Sequence, residues 1–511
     1  MLYFIYYYSI IYKMIQKGQI YCMNKYNNRM MIFIVEAVAM ILEICMSYIS
    51  SPFFGNSNTV WTGIIAVILL SNSIGNYIGG VITKDEKRVH NMLNLIVIAI
   101  LVINIVSEFV CVITSSLFSI KIAPIIASLV LLLPTEVMLG TIPPQIMNLE
   151  SINKQNQKIT GVIYSLSTLG GLVGTLVGGF ILIPRFGVNM IVALCAILIM
   201  LINVLSIKQW FDVKRLIMIV VIICLFIVNI FVVRNGMFHI QILSSNILEV
   251  KDSEYNRIVI SKGEYDDEPV IEMSMNAGFE SACYSADDKH YDLVFNYLKR
   301  LDNVISETSM TKDDILMLGG AAYQFPKHVL KEYHNSNIDV VELDPEVTKL
   351  AYKYFYLQDC IDAYDTNNTR FNNYNEDAKL YILDCDKKYD IIINDVFSGI
   401  TPVRTLTTVE AIHQIKDCIT NNGFYMINII GSVDGKNSKF LKSEIKTLKQ
   451  VFANVIVVPA RNLDDKTAVD NFCVIATDKN ITIPGSIDID DSEGIILTDN
   501  YCPIDSMLIE Q

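Results

Sequence analysis

At 511 residues the chain is long enough for two or three domains, and its 40 Lys+Arg against 53 Asp+Glu give a formal net charge of −13. The split is uneven. The first 235 residues hold 15 Lys+Arg and 8 Asp+Glu, whereas the remainder holds 25 and 45, a net of −20 that argues against nucleic acid as a partner. That acidity suits a cationic amine substrate, and plain solvation equally well. Eleven cysteines form no C-x-x-C pair, and six histidines form neither H-E-x-x-H nor a cluster with cysteine. No metal site or disulfide framework is therefore expected, and buried free thiols are.

In chain order, residues 1–29 read as a tail rich in Tyr, Ile and Asn. The apolar run Leu2–Tyr12 is too short to span a bilayer and lacks a small-residue cleavage site, so an interfacial tail or an over-extended gene start fits better than a signal peptide. Seven long apolar segments follow, at about 30–50, 60–82, 92–114, 119–141, 160–183, 188–207 and 216–233. Each has the length of a membrane span, so residues 30–235 are expected to be a multi-pass domain in a lipid bilayer, the cell membrane. The fifth segment carries Gly161, Gly170, Gly171, Gly174, Gly178 and Gly179, a pattern of close helix packing. Glu36 and Glu43 lie seven apart on one face of the first span, with Glu108 and Glu136 on others. Carboxylates inside spans are functional candidates, against the plainer reading of a protonated or snorkelling side chain. Lys+Arg number 4, 3, 2 and 3 in the tail and alternate loops, against 0, 1 and 1 in the intervening ones. That places the N-terminus inside, and seven spans would then put the C-terminal half outside. A soluble domain acting on small metabolites draws on the cytoplasmic pool, so the expectation is the cytoplasm, against the loop charges.

From Phe238 the pattern turns to alternation. Residues 236–287 read as a small subdomain of two or three antiparallel strands, with turns at Asn246, Ser253–Tyr255 and Asp266. Asp288–Leu301 reads as a helix leading into Ile315–Asp344. There a buried-strand run, Ile315–Leu318, ends at Gly319 and Gly320; a helix follows over about Phe325–Tyr333; and a second strand, Ile338–Val341, closes on Glu342. A strand, a glycine turn, a helix, a strand and an acid about 22 residues past the glycines describe a nucleoside-binding α/β unit. The glycines admit backbone close to a ligand, and Glu342 is placed to accept from ribose hydroxyls. Pro345–Leu357 is an amphipathic helix, and a polar stretch follows to Asn375. Asp377 then opens a short helix, where an N-cap is the plain reading. Tyr389–Asn394 is another buried strand with Asp395 at its carboxyl end, where the ligand crevice of an open α/β sheet lies. A carboxylate there can take a proton from an amine and attract cations. The remaining strands are GFYMINIIG, VFANVIVVPA and DNFCVIATD.

LGGAAYQFPKHVL with IDVVELDPEVTKLAYKYF resembles the core of the spermidine synthase (polyamine aminopropyltransferase) family in its membrane-fused bacterial form. EAVAMILEICMSYISSPFFGNSNTVWTGIIAVILLSNSIGNYIGG and ILTDNYCPIDSML extend the resemblance over about residues 30–511. It implies a multi-pass helical module followed by a small β-subdomain and, over 288–511, a Rossmann-like α/β domain with a seven-stranded methyltransferase-type sheet. It further implies decarboxylated S-adenosylmethionine, or S-adenosylmethionine itself, as co-substrate, and a small amine as acceptor. Residue by residue it gives Asp377 the adenine amino group, Tyr291 a substrate-side place, and Asp395 the reacting centre. Ser398 stands where the family has a second acid that holds the diamine, which puts putrescine in doubt. Ala321 replaces a third glycine, Tyr48 an arginine, and Glu280 with His290-Tyr291-Asp292 replaces the family's Gln and Tyr-His-Glu signature. Two alternatives stay open: an S-adenosylmethionine methyltransferase, against which Met317 stands where an acid is usual, and a transporter or sensor with a regulatory nucleoside domain. A homo-oligomer is left open.

Overall fold

The computed structural model describes residues 28–51, 53–54, 58–82, 86–119, 122–151, 157–183, 185–206, 213–235, 246–275, 278–308, 310–398, 401–461 and 463–507. Residues 1–27 of the expected tail and the start of the β-subdomain at 236–245 lie outside them, and Asn28 and Arg29 already belong to the first helix. The described residues from 28 to 54 and 59 to 235 belong to one compact unit, and those from 246 onward to a second.

The first unit is helical. Its elements are α1 (Asn28–Ser51), α2 (Asn58–Val81), α3 (Glu86–Leu117), α4 (Ala123–Gly140), α5 (Ile142–Ser151), α6 (Gln157–Val177, continued by a π turn over Gly178–Leu182), α7 (Val188–Ser206) and α8 (Val213–Asn235). Among the described residues, six helices are long and apolar enough to cross a membrane. The seventh expected span falls in α8, where the apolar stretch Ile217–Ile230 is shorter. Two of the six glycines singled out in α6 make the closest approach: a Cβ on Gly170 or Gly174 would come 2.3 Å from the Phe33 or Ala37 carbonyl oxygen of α1. Gly161 and Gly179 meet nothing nearby, so the glycine run is only partly a packing device. Buried amides pair with one another: Asn203 donates to Asn94 Oδ1 at 2.7 Å, and Asn104 to Asn229 Oδ1 at 2.7 Å, while Asn104 Oδ1 itself has no partner among the described residues. Glu136 differs. It is wholly buried, and neither carboxylate oxygen has a partner among the described residues.

The second unit begins with an antiparallel meander, β1 (Ile247–Asp252), β2 (Arg257–Tyr265), β3 (Glu268–Met275) and β4 (Gly278–Tyr284). It has four strands where two or three were expected; β4 closes the sheet by burying Ala282 and Cys283 completely. The connecting helix α9 is Asn296–Glu307, later than expected, since Phe295 is still extended (φ −81°, ψ 142°); its buried face is Leu298, Leu301, Val304 and Ile305. The chain continues with β5 (Asp314–Leu318), α10 (Gln324–Glu332), β6 (Asn337–Val341), α11 (Pro345–Tyr354), α12 (Leu357–Tyr364), β7 (Phe371–Tyr374), α13 (Ala378–Leu383) and β8 (Tyr389–Asn394). It ends with a two-residue pair β9 (Phe397–Ser398) and β10 (Thr401–Pro402), then α14 (Val409–Asp417), β11 (Ile419–Gly431), α15 (Lys439–Leu448), β12 (Asn454–Pro459) and β13 (Asp470–Thr477). The expected single helix after Glu342 is two, because Tyr356 takes a left-handed φ of 56°.

The main sheet has seven strands in the order β12-β13-β11-β8-β5-β6-β7. Strands β11 to β7 run parallel; β13 alone runs the other way, pairing antiparallel with both β11 and β12. The alternation of β5 shows why its run is continuously apolar: Ile315 and Met317 pack with α9, α10 and α12, while Leu316 and Leu318 pack with α14 and α15. The meander packs separately, with Ile258, Ile260 and Met273 against Val347, Leu350 and Phe355. Ten described cysteines are free, and eight of them are buried.

Candidate active site

A cavity of about 570 Å³ opens at the carboxyl ends of β5, β6, β8 and β11, and residues of the meander and of α9 line it too. This is the crevice that a parallel sheet creates, where strand-end side chains and loops converge beyond the last backbone hydrogen bonds.

At one end the chain leaves β5 through Gly319 and Gly320. Gly319 has a φ of +91°, and a Cβ there would stand 2.6 Å from the Asp395 carbonyl oxygen. A Cβ on Gly320 would meet the Tyr323 ring at 2.8 Å. The glycines are thus needed for packing inside the protein as well as for an open turn. Ala321 follows at φ 43° and Tyr323 at 54°, both left-handed although neither is glycine. The Tyr323 ring is fully buried, and its hydroxyl lies 2.8 Å from Thr348 Oγ1. Glu342, at the end of β6, ties this turn down. Its Oε2 accepts from Gly320 N at 2.9 Å and Ala321 N at 3.2 Å, and its Oε1 from Asp344 N at 2.9 Å. Burial pushes its carboxyl up from the usual range, against those three donors. Asp377 also lines the cavity and caps α13 through Lys379 N at 2.7 Å. The cap reading and the cavity position hold together.

Asp395 leaves β8 next to Gly319, with its backbone N donating to Leu318 O at 3.0 Å. Its side chain is fixed by two residues that pattern reading missed. Tyr297 Oη donates to Oδ2 at 2.9 Å, and Asn428 Nδ2 to Oδ1 at 2.9 Å. Burial raises the carboxyl above the usual aspartate range, while these two hydrogen bonds pull it down. Asn428 carried a usable signal: it is a lone amide in the apolar strand YMINII, near its carboxyl end. Tyr297, in the first turn of α9, carried none.

Of the expected site residues, Gly319, Gly320, Glu342, Asp377 and Asp395 line one cavity. Tyr291 is not among its lining residues. It stands edge-on to Tyr364 with ring centroids 5.7 Å apart, and burial with nearby Cys360 and Asp359 pushes its hydroxyl up to about 12. The reason is the late start of α9, which leaves Tyr291 in the preceding turns. Ser398 sits in β9 opposite Thr401, and its side chain lies outside the described residues. Among the described residues, no group of three or more His, Cys, Asp or Glu could hold a metal ion.

Residues 294–473 match the family model of the spermine/spermidine synthase domain. The polyamine aminopropyltransferase of Vibrio vulnificus is 27% identical over 213 residues, covering 41% of this chain and 66% of that protein, just under two thirds of its length. Polyamine aminopropyltransferase 2 of Aquifex aeolicus is 20% identical over 440 residues, covering 83% of this chain and 82% of that one. Among solved structures, a probable spermidine synthase from Corynebacterium glutamicum aligns with 22% identity and a TM-score of 0.39, over 47% of this chain and 82% of its own. By sequence, the second unit is thus similar to the spermidine synthase-like family over residues 294–473, the stretch that holds most of the seven-stranded sheet and its strand-end cavity.

Proposed function

We propose that the second unit transfers an aminopropyl group from decarboxylated S-adenosylmethionine to an amine. The observation that carries this reading is the Asp395 carboxylate, held by two donors in the same cavity as the Gly319–Gly320 turn, Glu342 and Asp377. Glu342 would accept from the ribose hydroxyls and Asp377 from the adenine amino group. That leaves the sulfonium and its aminopropyl chain toward Asp395.

The acceptor arrives as an ammonium, since alkylamines titrate near lysine, about 10.4. Asp395 takes its proton. The freed nitrogen lone pair then attacks the aminopropyl carbon bonded to sulfur. A C–N bond forms, the C–S bond breaks with its electron pair on sulfur, and neutral methylthioadenosine leaves. Tyr297 and Asn428 each occupy one lone-pair direction of Asp395, so each oxygen keeps another for the ammonium. Because burial makes Asp395 more basic than a free aspartate, it is a better proton acceptor than its residue type suggests.

The helical unit would hold the enzyme in the bilayer. Six spans with an inside N-terminus return the chain to the cytoplasm, where the co-substrate is made; the shorter apolar stretch of α8 supports that count. Release of methylthioadenosine from decarboxylated S-adenosylmethionine, dependent on an added amine and absent in Asp395→Asn, tests the reaction. Turnover only with intact S-adenosylmethionine, yielding S-adenosylhomocysteine, would replace it with methyl transfer. Labelling of an introduced surface cysteine in unit two by an impermeant maleimide before cell lysis would reverse the placement.

A further inference from the structure

We infer that the cavity holds an anion-binding subsite at Arg461, and that the amine acceptor carries a carboxylate remote from its reacting nitrogen. This rests on the amine-transfer reading above and names its substrate class.

The observation is a continuous wall leading away from Asp395. Tyr297, which holds Asp395, stacks on Phe295 with centroids 5.9 Å apart, and Phe295 meets Tyr265 edge-on at 5.4 Å. The Arg461 guanidinium lies within electrostatic reach of the Tyr265 hydroxyl, and all of these residues line the one cavity. Arg461 is held from behind. Its backbone N donates to Asp470 Oδ2 at 3.1 Å, its Nε to Oδ1 at 3.1 Å, and Nη2 lies 3.1 Å from the same Oδ1. The Asp470 side chain is 3% exposed, whereas that of Arg461 is 63% exposed. A buried carboxylate therefore aims an exposed guanidinium with donors to spare, and a planar fork of that kind matches a carboxylate.

The charges around the cavity point the same way. Its lining carboxylates are Glu342 and Asp377 at the nucleoside end, Asp395 at the reacting centre, and Asp470, which Arg461 already neutralises. A diamine places a second ammonium beyond Asp395, along a wall that ends on a guanidinium, and residue 398 is serine rather than an acid. An amino carboxylate places opposite charges at both ends: ammonium on Asp395, carboxylate on Arg461. Like charges across a site are a common means of rejecting a wrong partner.

The test uses the full chain in lipid nanodiscs, with methylthioadenosine release measured for δ-aminovalerate, cadaverine and pentylamine. Wild type is expected to favour δ-aminovalerate over pentylamine in kcat/KM, and cadaverine least. R461Q should lower the δ-aminovalerate-to-pentylamine ratio by about 10- to 100-fold, the worth of a charge-assisted hydrogen bond. R461K, which keeps the charge and serves where R461Q folds poorly, should lower it less. A second readout needs no turnover: δ-aminovalerate is titrated onto protein saturated with methylthioadenosine. Arg461-dependent binding without turnover of any amine would sink the transfer reading and keep the subsite. Cadaverine preferred by wild type, with a ratio that R461Q leaves unmoved, overturns the subsite. If R461Q instead changes discrimination between intact and decarboxylated S-adenosylmethionine, the anion belongs to the donor and the acceptor assignment falls. Absence of both turnover and δ-aminovalerate binding overturns it too.

Discussion

At the end of the cavity proposed for the nucleoside, Gly319, Gly320 and Glu342 come from one continuous strand–turn–helix–strand stretch. At the far end, Tyr265, Tyr297, Asp395, Asn428 and Arg461 come from five separate parts of the second unit. The first end is built from backbone: left-handed residues in a turn and peptide N–H groups aimed at one carboxylate. The second is built from side chains whose relation exists only after folding. A local end can keep its ligand while the distributed end changes its substrate, and the two should respond differently to mutation.

The largest expected effect lies where the ends meet. Asp395→Asn should lower kcat by about 10²- to 10⁴-fold, the usual worth of general-base catalysis, while methylthioadenosine affinity stays within a few-fold. Normal turnover in that variant would move the base elsewhere. At the nucleoside end the pattern inverts. Glu342→Gln should weaken methylthioadenosine by about 1.5–3 kcal/mol, as for hydrogen bonds to a charged acceptor, measured by titration calorimetry on folded protein. Unchanged affinity would erase the distinction between the ends. Gly319→Ala should cost about 1–3 kcal/mol of stability in denaturant melts, because φ is +91° and the added methyl meets the Asp395 carbonyl.

The pH profile sharpens the comparison further. Burial raises the Asp395 carboxyl, so the acid limb of kcat/KM, where activity falls as pH drops and the base is protonated, should lie above the free aspartate value of about 3.9. The Tyr297 hydrogen bond favours the carboxylate, so Tyr297→Phe should move that limb upward and cut kcat/KM by up to about tenfold. A downward shift would remove Tyr297 from the base's environment. The smallest effect is expected at Ala321. Glycine there relieves a left-handed alanine at about 1–2 kcal/mol but adds unfolded-state entropy of about 0.5–1 kcal/mol, for a net gain of roughly 0.5 kcal/mol in denaturant melts.

Most of the sheet was legible because its strands are buried on both faces and read as unbroken apolar runs, as in Ile315–Leu318 and Ile391–Ile393. Where burial is one-sided or partial the reading thinned. Phe371–Tyr374 is a strand written as FNNY at the end of the sheet, and it passed as part of a polar stretch. In the helical unit, apolar length was plain from composition, but not which glycines touch a neighbour. That depends on α6 meeting α1 at Gly170 and Gly174.

Hydrophobic run length, the spacing of Gly319 and Gly320 to Glu342, and the strand-end position of Asp395 were determined by the sequence itself, since each rests on residues near one another in the chain. The tertiary structure alone decided that Tyr297 and Asn428 hold Asp395, that Asp470 aims Arg461 along the same cavity, and that Tyr291 stands away from it. These are side-chain relations across elements far apart in the chain. They depend on where α9 starts and how the meander and the β12–β13 loop come to the strand ends, and no local periodicity encodes that.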